Sequence, residues 1–241
     1  MDVYIGCSGW NYKDWRGKFY PEKLAQKNWL EYYSKKFNTV EVNNTFYRFP
    51  RDLNLVNWKE TAPSGFNFTL KGSRYITHMK KLKEVSGSVE DFHRAAHVLG
   101  EKLSCILWQL PPNLHRDDER LKNFCNFLDP QDKNVIEFRH LSWYHPEVYE
   151  ILSSYNLSFC SISSPDFPDE LITTNKIGYI RFHGEGKNWY DYYYTSDQLK
   201  TWRDKILQAD LEEVYLYFNN DIGANAVENA MQLKKLFEEY C

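Results

Sequence analysis

The chain has 241 residues, of which 42% are hydrophobic and 26% are charged, the composition of a soluble globular protein. Its formal net charge is −3 and it contains no long basic run, so binding to nucleic acid or to an anionic membrane is not expected as its main role. No apolar stretch approaches the roughly 20 residues that a membrane-spanning helix requires.

The N-terminal region and the cysteines indicate a cytoplasmic protein. A predicted strand begins at Val3, and no basic stretch with an apolar core precedes it, so no signal peptide is predicted. The cysteines are Cys7, Cys105, Cys125, Cys160 and Cys241. No C-x-x-C pair occurs, which favours buried, reduced thiols. Cys7 follows a strand and is the candidate for the alternative role, a catalytic thiol.

Short β-rich segments alternate with helical patterns along most of the chain. Eight strands are predicted, at residues 3–8, 39–43, 67–71, 105–110, 135–139, 157–162, 178–183 and 214–218. Helices are predicted between most of them, because apolar residues recur at spacings of three and four. The exception is residues 163–176, which contain proline and show no helical pattern.

Local sequence signals predict several helix boundaries. A short helix is expected over residues 52–61. Ser88 and Asp91 are interpreted as a capping box at the start of the next helix. Pro146 is expected in the first turn of a later helix, and Ser196 is the expected N-cap of another.

Strands that are separated by helices form parallel sheets through crossover connections. Eight strand–helix units in 241 residues amount to about 30 residues each, close to the minimal size of a (β/α)8 barrel. The alternative is an open doubly wound sheet, which usually carries a glycine-rich phosphate-binding turn after its first strand; residues 6–10 do not match that turn. The sequence therefore predicts one domain over residues 1–241, a TIM-type (β/α)8 barrel.

Polar and charged residues are concentrated where the predicted strands end. The strand ends and the loops that follow them provide Trp10, Glu41, Asn43, Tyr47, Lys71, Gln109, Glu137, Arg139, Arg181, His183 and Asn219. The carboxyl ends of barrel strands meet at one face, where the active sites of this fold lie. We therefore expect these side chains to share one pocket.

Glu137 and Glu41 are the predicted acid/base pair, because two carboxylates in different environments can hold different protonation states. His183 is the predicted proton shuttle. The predicted substrate contacts are Trp10, Asn43, Tyr47, Lys71, Gln109, Arg139, Arg181 and Asn219. Among these, the lysine and the arginines would bind an anionic group.

Two alternatives concern the carboxylates. Buried charges require partners, so Glu41 could pair with Lys71, and Glu137 with neighbours of Arg139, in a purely structural role. A magnesium or manganese site formed by Glu41, Glu137 and Asp221 also stays open, because these ions prefer carboxylate oxygens. No H-x-H, H-E-x-x-H or paired-cysteine motif is present, so no metal or other cofactor is predicted.

The ordered motifs of the chain resemble the domain-of-unknown-function 72 (YecE-like) family from end to end. Matching segments include residues 5–10, 40–47, 109–112, 137–140, 181–184 and 218–221. The resemblance implies a TIM-type barrel and supplies no activity, because the family has no established reaction. This chain departs from the family at Ser163, where an aspartate often precedes Ser-Pro.

The leading interpretation is an enzyme without a redox cofactor, of hydrolase, lyase or isomerase type. It would act on a small anionic or sugar-like molecule at the barrel mouth. One alternative is a non-catalytic protein that senses a metabolite through the same pocket. Another is a metal-dependent nuclease. The sequence leaves the substrate, the reaction, the metal content and the oligomeric state open.

Overall fold

The computed structural model describes residues 1–187 and 189–239, so Cys241 lies outside the described residues. Its strands are β1 (Asp2–Cys7), β2 (Thr39–Val42), β3 (Asn67–Lys71), β4 (Leu103–Gln109), β5 (Lys133–Glu137), β6 (Ser158–Ser163), β7 (Ile177–Phe182) and β8 (Glu213–Phe218). They form one parallel sheet in the order β1-β8-β7-β6-β5-β4-β3-β2. This sheet is a nearly closed TIM-type (β/α)8 barrel, as predicted.

Helices surround the sheet. They are α1 (Trp29–Ser34), α2 (Asn44–Tyr47), α3 (Asp52–Thr61), α4 (Ser86–Ala96), α5 (Asp118–Cys125), α6 (Pro146–Ser154), α7 (Ser196–Gln208) and α8 (Asn225–Glu238). Residues 164–176, all of which the structure describes, contain no helix, as predicted. No helix among the described residues combines the length and the apolar character needed to cross a bilayer.

Two predicted helix starts are wrong. α4 begins at Ser86, before the predicted capping box of Ser88 and Asp91, and its N-cap has no side-chain hydrogen bond. The N-cap of α7 is Thr195 rather than Ser196, because the side chain of Thr195 accepts a hydrogen bond from the backbone N–H of Gln198. The helix over residues 52–61 is confirmed, as is the proline at the start of α6.

Five predicted strands extend one or two residues too far at their carboxyl ends. β1 ends at Cys7, β2 at Val42, β4 at Gln109, β5 at Glu137 and β7 at Phe182. Arg139 and His183 therefore lie in the loops just beyond their strands. Polar residues continue past the end of each backbone ladder, and side-chain type alone does not mark the last paired residue.

Two apolar layers hold the barrel together. A large outer core lies between the sheet and the helices. A smaller inner cluster consists of Cys105, Leu107, Val135, Cys160, Ile162, Tyr179, Tyr215 and Tyr217. The inner layer also carries polar groups, since the hydroxyl of Tyr217 lies 2.7 Å from that of Thr39 and 2.8 Å from that of Thr69. The interior is thus packed with side chains and becomes more polar toward the mouth.

Side chains close the sheet between β1 and β2, where no backbone ladder joins the two strands in the described part of the chain. The hydroxyl of Tyr33 accepts a hydrogen bond from the backbone N–H of Cys7 at 2.7 Å and donates one to the carbonyl of Thr39 at 3.2 Å. The amide of Asn38 bonds to the backbone of both Val3 and Ile5. We call this junction the β1–β2 seam.

Replacing Tyr33 with Phe removes the hydroxyl that satisfies two buried backbone groups of the seam. We expect a loss of about 1–3 kcal/mol in the free energy of unfolding, measured by urea denaturation. The matched control is Tyr32→Phe on the same helix. Loss of the hydroxyl from this partly exposed ring should lower the free energy of unfolding by less than about 0.5 kcal/mol. Equal effects of the two substitutions would contradict a closing role for Tyr33.

Candidate functional site

A cavity of about 900 Å³ opens at the carboxyl ends of the strands. It is lined by Tyr12, Asn43, Phe46, Tyr47, Lys71, His78, Gln109, Pro112, Arg139, His140, Leu141, Asp166, Phe167, Arg181, Trp189, Tyr190, Asn219 and Asp221. The cavity brings together seven of the eight side chains expected to contact substrate. These residues come from strands and loops spread over most of the sequence, as the barrel topology requires.

Trp10 is the exception among the predicted substrate contacts. Its ring packs edge-to-face against Trp58 of α3, with the ring centroids 5.4 Å apart, and does not line the cavity. The first loop instead presents Tyr12 to the cavity. The hydroxyl of Tyr12 donates a hydrogen bond to the carbonyl of Ser8 at 2.6 Å, which fixes the ring at the rim.

Arg181 lies between the two predicted catalytic carboxylates. One terminal nitrogen donates to Glu41 Oε1 at 2.7 Å, and the other donates to Glu137 Oε2 at 2.7 Å. The hydroxyl of Tyr179 completes the contacts of Glu41 at 2.6 Å. Both carboxylates are fully buried and lie behind the lining side chains. The suggested pairing of Glu41 with Lys71 is wrong, because the longer arginine side chain occupies that position.

Glu137 also anchors two side chains of the cavity lining. Its Oε1 accepts a hydrogen bond from Gln109 at 2.9 Å and another from Arg139 Nε. Burial alone would raise the pKa of Glu137, but the guanidinium groups of Arg139 and Arg181 outweigh that effect and hold the pKa well below its usual range. Glu137 is therefore a carboxylate at neutral pH, and its contacts make it a fixed acceptor for the basic groups around it.

His183 links three of these groups. Its Nε2 lies 3.0 Å from Arg139 Nη2 and 3.4 Å from Arg181 Nη1, and its Nδ1 lies 3.0 Å from the side-chain amide of Asn219. Burial, followed by the two guanidinium charges, lowers the pKa of His183 well below its ordinary value. Because arginine only donates hydrogen bonds, Nε2 must be the acceptor, so the ring proton belongs on Nδ1. The atom of Asn219 that faces Nδ1 is Nδ2, so this amide accepts the ring proton only after a rotation that exchanges its nitrogen and oxygen.

Lys71 differs from the arginines because no ion pair joins it to a carboxylate within the described part of the chain. Its Nζ lies 4.5 Å from the centroid of the Phe46 ring. Burial and the nearby charge of Arg181 lower the pKa of Lys71 to about 7. The carboxylates of Glu137 and Glu41 oppose this decrease. At neutral pH the amine is therefore present in both its charged and its neutral form.

The loop after β7 contributes lining residues that the sequence patterns did not identify. Trp189 packs over the guanidinium of Arg139, 5.1 Å from its ring centroid, and stacks on His183 at 5.2 Å. Tyr190 lies beside it in the lining. The available signal was a Trp-Tyr pair shortly after two glycines, Gly184 and Gly186, in a loop that leaves a barrel strand.

Ser163, which stands where the family often has aspartate, is buried at the end of β6. Its hydroxyl lies 2.9 Å from the hydroxyl of Tyr194 and donates to Glu185 Oε1 at 3.2 Å. A carboxylate from the β7 loop thus reaches this position. Asp166, three residues further along the chain, lines the cavity.

The carboxylates proposed as an alternative magnesium or manganese site do not have a suitable arrangement. The guanidinium of Arg181 already fills the space between Glu41 and Glu137. Asp221 lies at the rim, where burial raises its pKa, and it contacts Tyr12. A cation shared by the three carboxylates would have to replace an internal positive charge, so the metal-dependent nuclease stays a prediction that this geometry does not favour.

The prediction of buried thiols is confirmed for Cys7, Cys105, Cys125 and Cys160. Burial raises the pKa of Cys7 well above its ordinary value, so its thiol stays protonated at neutral pH. The thiol also does not line the cavity. These properties are those of a structural cysteine and not of a catalytic thiolate.

Fold and site together define a TIM-type barrel with a polar cavity at its C-terminal mouth. The chain belongs to the family described as "Protein of unknown function DUF72", whose model matches residues 4–240. The UPF0759 protein YunF of Bacillus subtilis is 28% identical over 98% of this chain and 95% of its own length. The UPF0759 protein YecE of Escherichia coli K12 is 27% identical over 57% of this chain and 48% of its own length.

Solved structures of the same family share the fold. A DUF72 protein from Thermotoga maritima superposes with a TM-score of 0.90 at 33% sequence identity, covering 99% of this chain and 100% of that one. A DUF72 protein from Enterococcus faecalis gives a TM-score of 0.84 at 20% identity, covering 98% and 95% of the two chains. The resemblance that the sequence motifs indicated is therefore confirmed.

Replacing Arg181 with Met leaves the carboxylates of Glu41 and Glu137 buried without their shared cation. We expect the free energy of unfolding to fall by about 3–5 kcal/mol in urea denaturation, because an uncompensated buried charge is costly. The control is Arg94→Ala, which breaks an exposed pair with Asp91 and should cost under about 1 kcal/mol. A loss for Arg181→Met as small as that of the control would contradict the central role of this guanidinium.

Proposed function

We propose that the protein is an enzyme that binds a small anionic molecule at the barrel mouth and transfers a proton to or from it, with Lys71 as the acid/base group. The observation that carries this proposal is the buried amine of Lys71, which lines the cavity, has a pKa of about 7 and forms no ion pair with a carboxylate of the described chain. An acid/base group works best when its pKa lies near the pH at which it operates.

The basic side chains of the lining support an anionic substrate. Arg139 uses Nε and Nη2 for Glu137 and His183, which leaves Nη1 to donate to a ligand at the cavity. When Lys71 is protonated, the three cations Lys71, Arg139 and Arg181 outnumber the buried carboxylates Glu41 and Glu137 by one. Asp166 and Asp221, whose carboxylates line the cavity, belong to the loops after β6 and β8. A single phosphate or carboxylate group on the substrate would balance that charge, and guanidinium groups suit such anions geometrically.

The arrangement favours lyase or isomerase chemistry over hydrolysis. A neutral Lys71 can remove a proton from a carbon next to a carbonyl or carboxylate, and Arg139 can stabilise the negative charge that develops on the oxygen. Hydrolysis by paired carboxylates would require one of them at the cavity surface, whereas Glu41 and Glu137 lie behind the lining. In this proposal the carboxylates orient the basic groups, and Asn43 and Asn219 supply amides for substrate hydroxyls.

A non-catalytic metabolite-binding protein is the second candidate. The observation that favours it is the complete pairing of the predicted catalytic groups: Glu137 and Glu41 are held by arginine, and His183 is bonded through both ring nitrogens. A pocket of this kind can bind an anion without any proton transfer. The two candidates differ in whether the free amine of Lys71 serves only as a positive charge.

Removing the buried amine tests its low pKa. The pKa of Lys71 is about 7 in the folded state and about 10.5 in the unfolded chain. Burial of the amine therefore lowers the free energy of unfolding at every pH at which Lys71 of the unfolded chain is protonated. This cost is full below about pH 7 and fades as the pH rises toward 10.5. Lys71→Met should therefore be more stable than the unsubstituted protein at pH 6, by up to roughly 5 kcal/mol, with the difference shrinking above pH 7.

Urea denaturation at several pH values measures this difference. Lys122→Met, on α5 with a side chain that is 45% exposed, is the control and should change stability by less than about 0.5 kcal/mol at every pH. A Lys71→Met effect that did not vary between pH 6 and pH 9 would show that the pKa of this amine is close to its ordinary value.

The function itself is tested by screening small phosphorylated and carboxylated sugars for thermal stabilisation, then following one binding compound by both calorimetry and product analysis. The affinity should fall up to about tenfold per pH unit above pH 7, because neutral Lys71 no longer attracts the anion. Lys71→Met should still bind, with no such pH dependence, and should lose turnover by about 100-fold or more.

Lys122→Met is again the control, with binding and turnover expected to match the unsubstituted protein. Binding without any product from the unsubstituted protein would favour the non-catalytic alternative and reject the enzyme. Unchanged turnover in Lys71→Met would reject Lys71 as the acid/base group.

A further inference from the structure

We propose that His93, His97 and Asp132 form a zinc-binding site at the end of the barrel opposite the mouth. One nitrogen from each histidine and one carboxylate oxygen all lie within 4.8 Å of one another. Two imidazoles with one carboxylate are a ligand set that zinc accepts in proteins. We call these three residues the His–Asp cluster.

The elements that carry the cluster explain why the side chains meet. His93 lies in the last turn of α4, and His97 begins the 3-10 turn that continues it, so the two side chains, four residues apart, lie on the same face. Asp132 immediately precedes β5, at the amino end of that strand. Since β5 runs from Lys133 to Glu137, roughly 13 Å of strand separates the cluster from the mouth.

The distances within the cluster are close to those of a metal site. Nδ1 of His93 lies 2.5 Å from Oδ2 of Asp132, and Nε2 of His97 lies 2.9 Å from the same oxygen. Ligand atoms around a tetrahedral zinc, at about 2.0–2.1 Å from the metal, are about 3.3 Å apart. Each of the two distances to Asp132 would have to lengthen by less than 1 Å to match that spacing, which is within the range of side-chain rotation.

Buried contacts hold the carboxylate in place. The side-chain amide of Asn134 donates to the backbone carbonyls of Asp129 at 2.9 Å and of Asp132 at 3.1 Å. Its amide oxygen in turn accepts from the indole N–H of Trp108 at 2.9 Å. The loop that presents Asp132 is thus fixed to β4 and β5, which limits the reorganisation that metal binding requires.

The exposure of the ligands gives the ion a route of entry and an open coordination position. The side chains of His93 and Asp132 are 5% and 11% exposed, whereas that of His97 is 46% exposed. Water can therefore complete the coordination on the side of His97. Nitrogen ligands favour zinc, nickel or cobalt over magnesium or calcium, which require mostly oxygen ligands.

Metal binding would change the hydrogen bonds of the cluster in a defined way. Nε2 of His93 now accepts a long hydrogen bond, 3.5 Å, from the backbone N–H of Asp129, so the ring proton lies on Nδ1 and is donated to Asp132. Zinc at Nδ1 requires that proton to leave or to move to Nε2, which gives up the long contact.

The experiment uses the full-length protein without a histidine tag, stripped of metal by a chelator. Addition of Zn²⁺ at about 100 times its dissociation constant should raise Tm by about 5–10 °C, and EDTA should reverse the increase. Mg²⁺ at the same concentration should produce no shift. Co²⁺ should give the visible absorption spectrum of a nitrogen- and oxygen-ligated ion.

The variants are Asp132→Asn, which keeps the size of the side chain, and His97→Ala, at the most exposed ligand. Each should weaken Zn²⁺ binding by about 100-fold or more and remove the cobalt spectrum, with the fold preserved by circular dichroism. His115→Ala, at an exposed histidine outside the cluster, should bind zinc unchanged. An absent Tm shift, or a shift that survives both cluster substitutions, would overturn the proposal.

Discussion

A single buried guanidinium organises the interior of this barrel. Arg181 satisfies Glu41 and Glu137, two carboxylates that are far apart in the chain and that could not remain ionised together without a cation between them. Glu137 then orients Arg139 and Gln109 toward the cavity. The basic character of the mouth thus depends on charge pairs one layer deeper.

This layering explains why the polar strand ends can coexist with a stable core. Toward the amino ends of the strands the interior is filled by tyrosine rings and small apolar groups, and the threonine hydroxyls there are bonded to Tyr217. The ion-paired layer follows, and the cavity lies above it. Each layer supplies hydrogen bonds to the next one, so that polarity rises along the barrel axis while the buried carboxylates Glu41 and Glu137 stay paired.

The sequence predicted the barrel and the grouping of its strand-end residues because both follow from regular alternation and from the shared direction of parallel strands. It did not predict which cation pairs with Glu41, because the choice between Lys71 and Arg181 depends on side-chain length and on the width of the closed sheet. Trp189 was missed because its loop has no periodicity. The two histidines that approach Asp132 were missed because the aspartate is more than thirty positions away and belongs to no local motif.

The predicted roles of the carboxylates also depended on information that a sequence does not contain. Glu137 has the residue type and the strand position of an acid/base catalyst, yet its surroundings hold it ionised and fully bonded. Lys71 has the same kind of position and a different environment, an aromatic ring with no paired carboxylate in the described chain. Chemical role at this mouth is thus set by the neighbours of each group more than by its identity.

The β1–β2 seam has a consequence for how the molecule fluctuates. Every other junction of the sheet is a backbone ladder, whereas this one depends on a few side chains, among them Asn43, whose amide donates to the carbonyl of Ser8 beside the cavity. A brief separation of the cylinder wall should begin there, since fewer bonds must break at once. Because Asn43 also lines the cavity, a ligand that hydrogen-bonds to its amide would stabilise the closed seam. The width of the cavity entrance and the closure of the barrel would then change together.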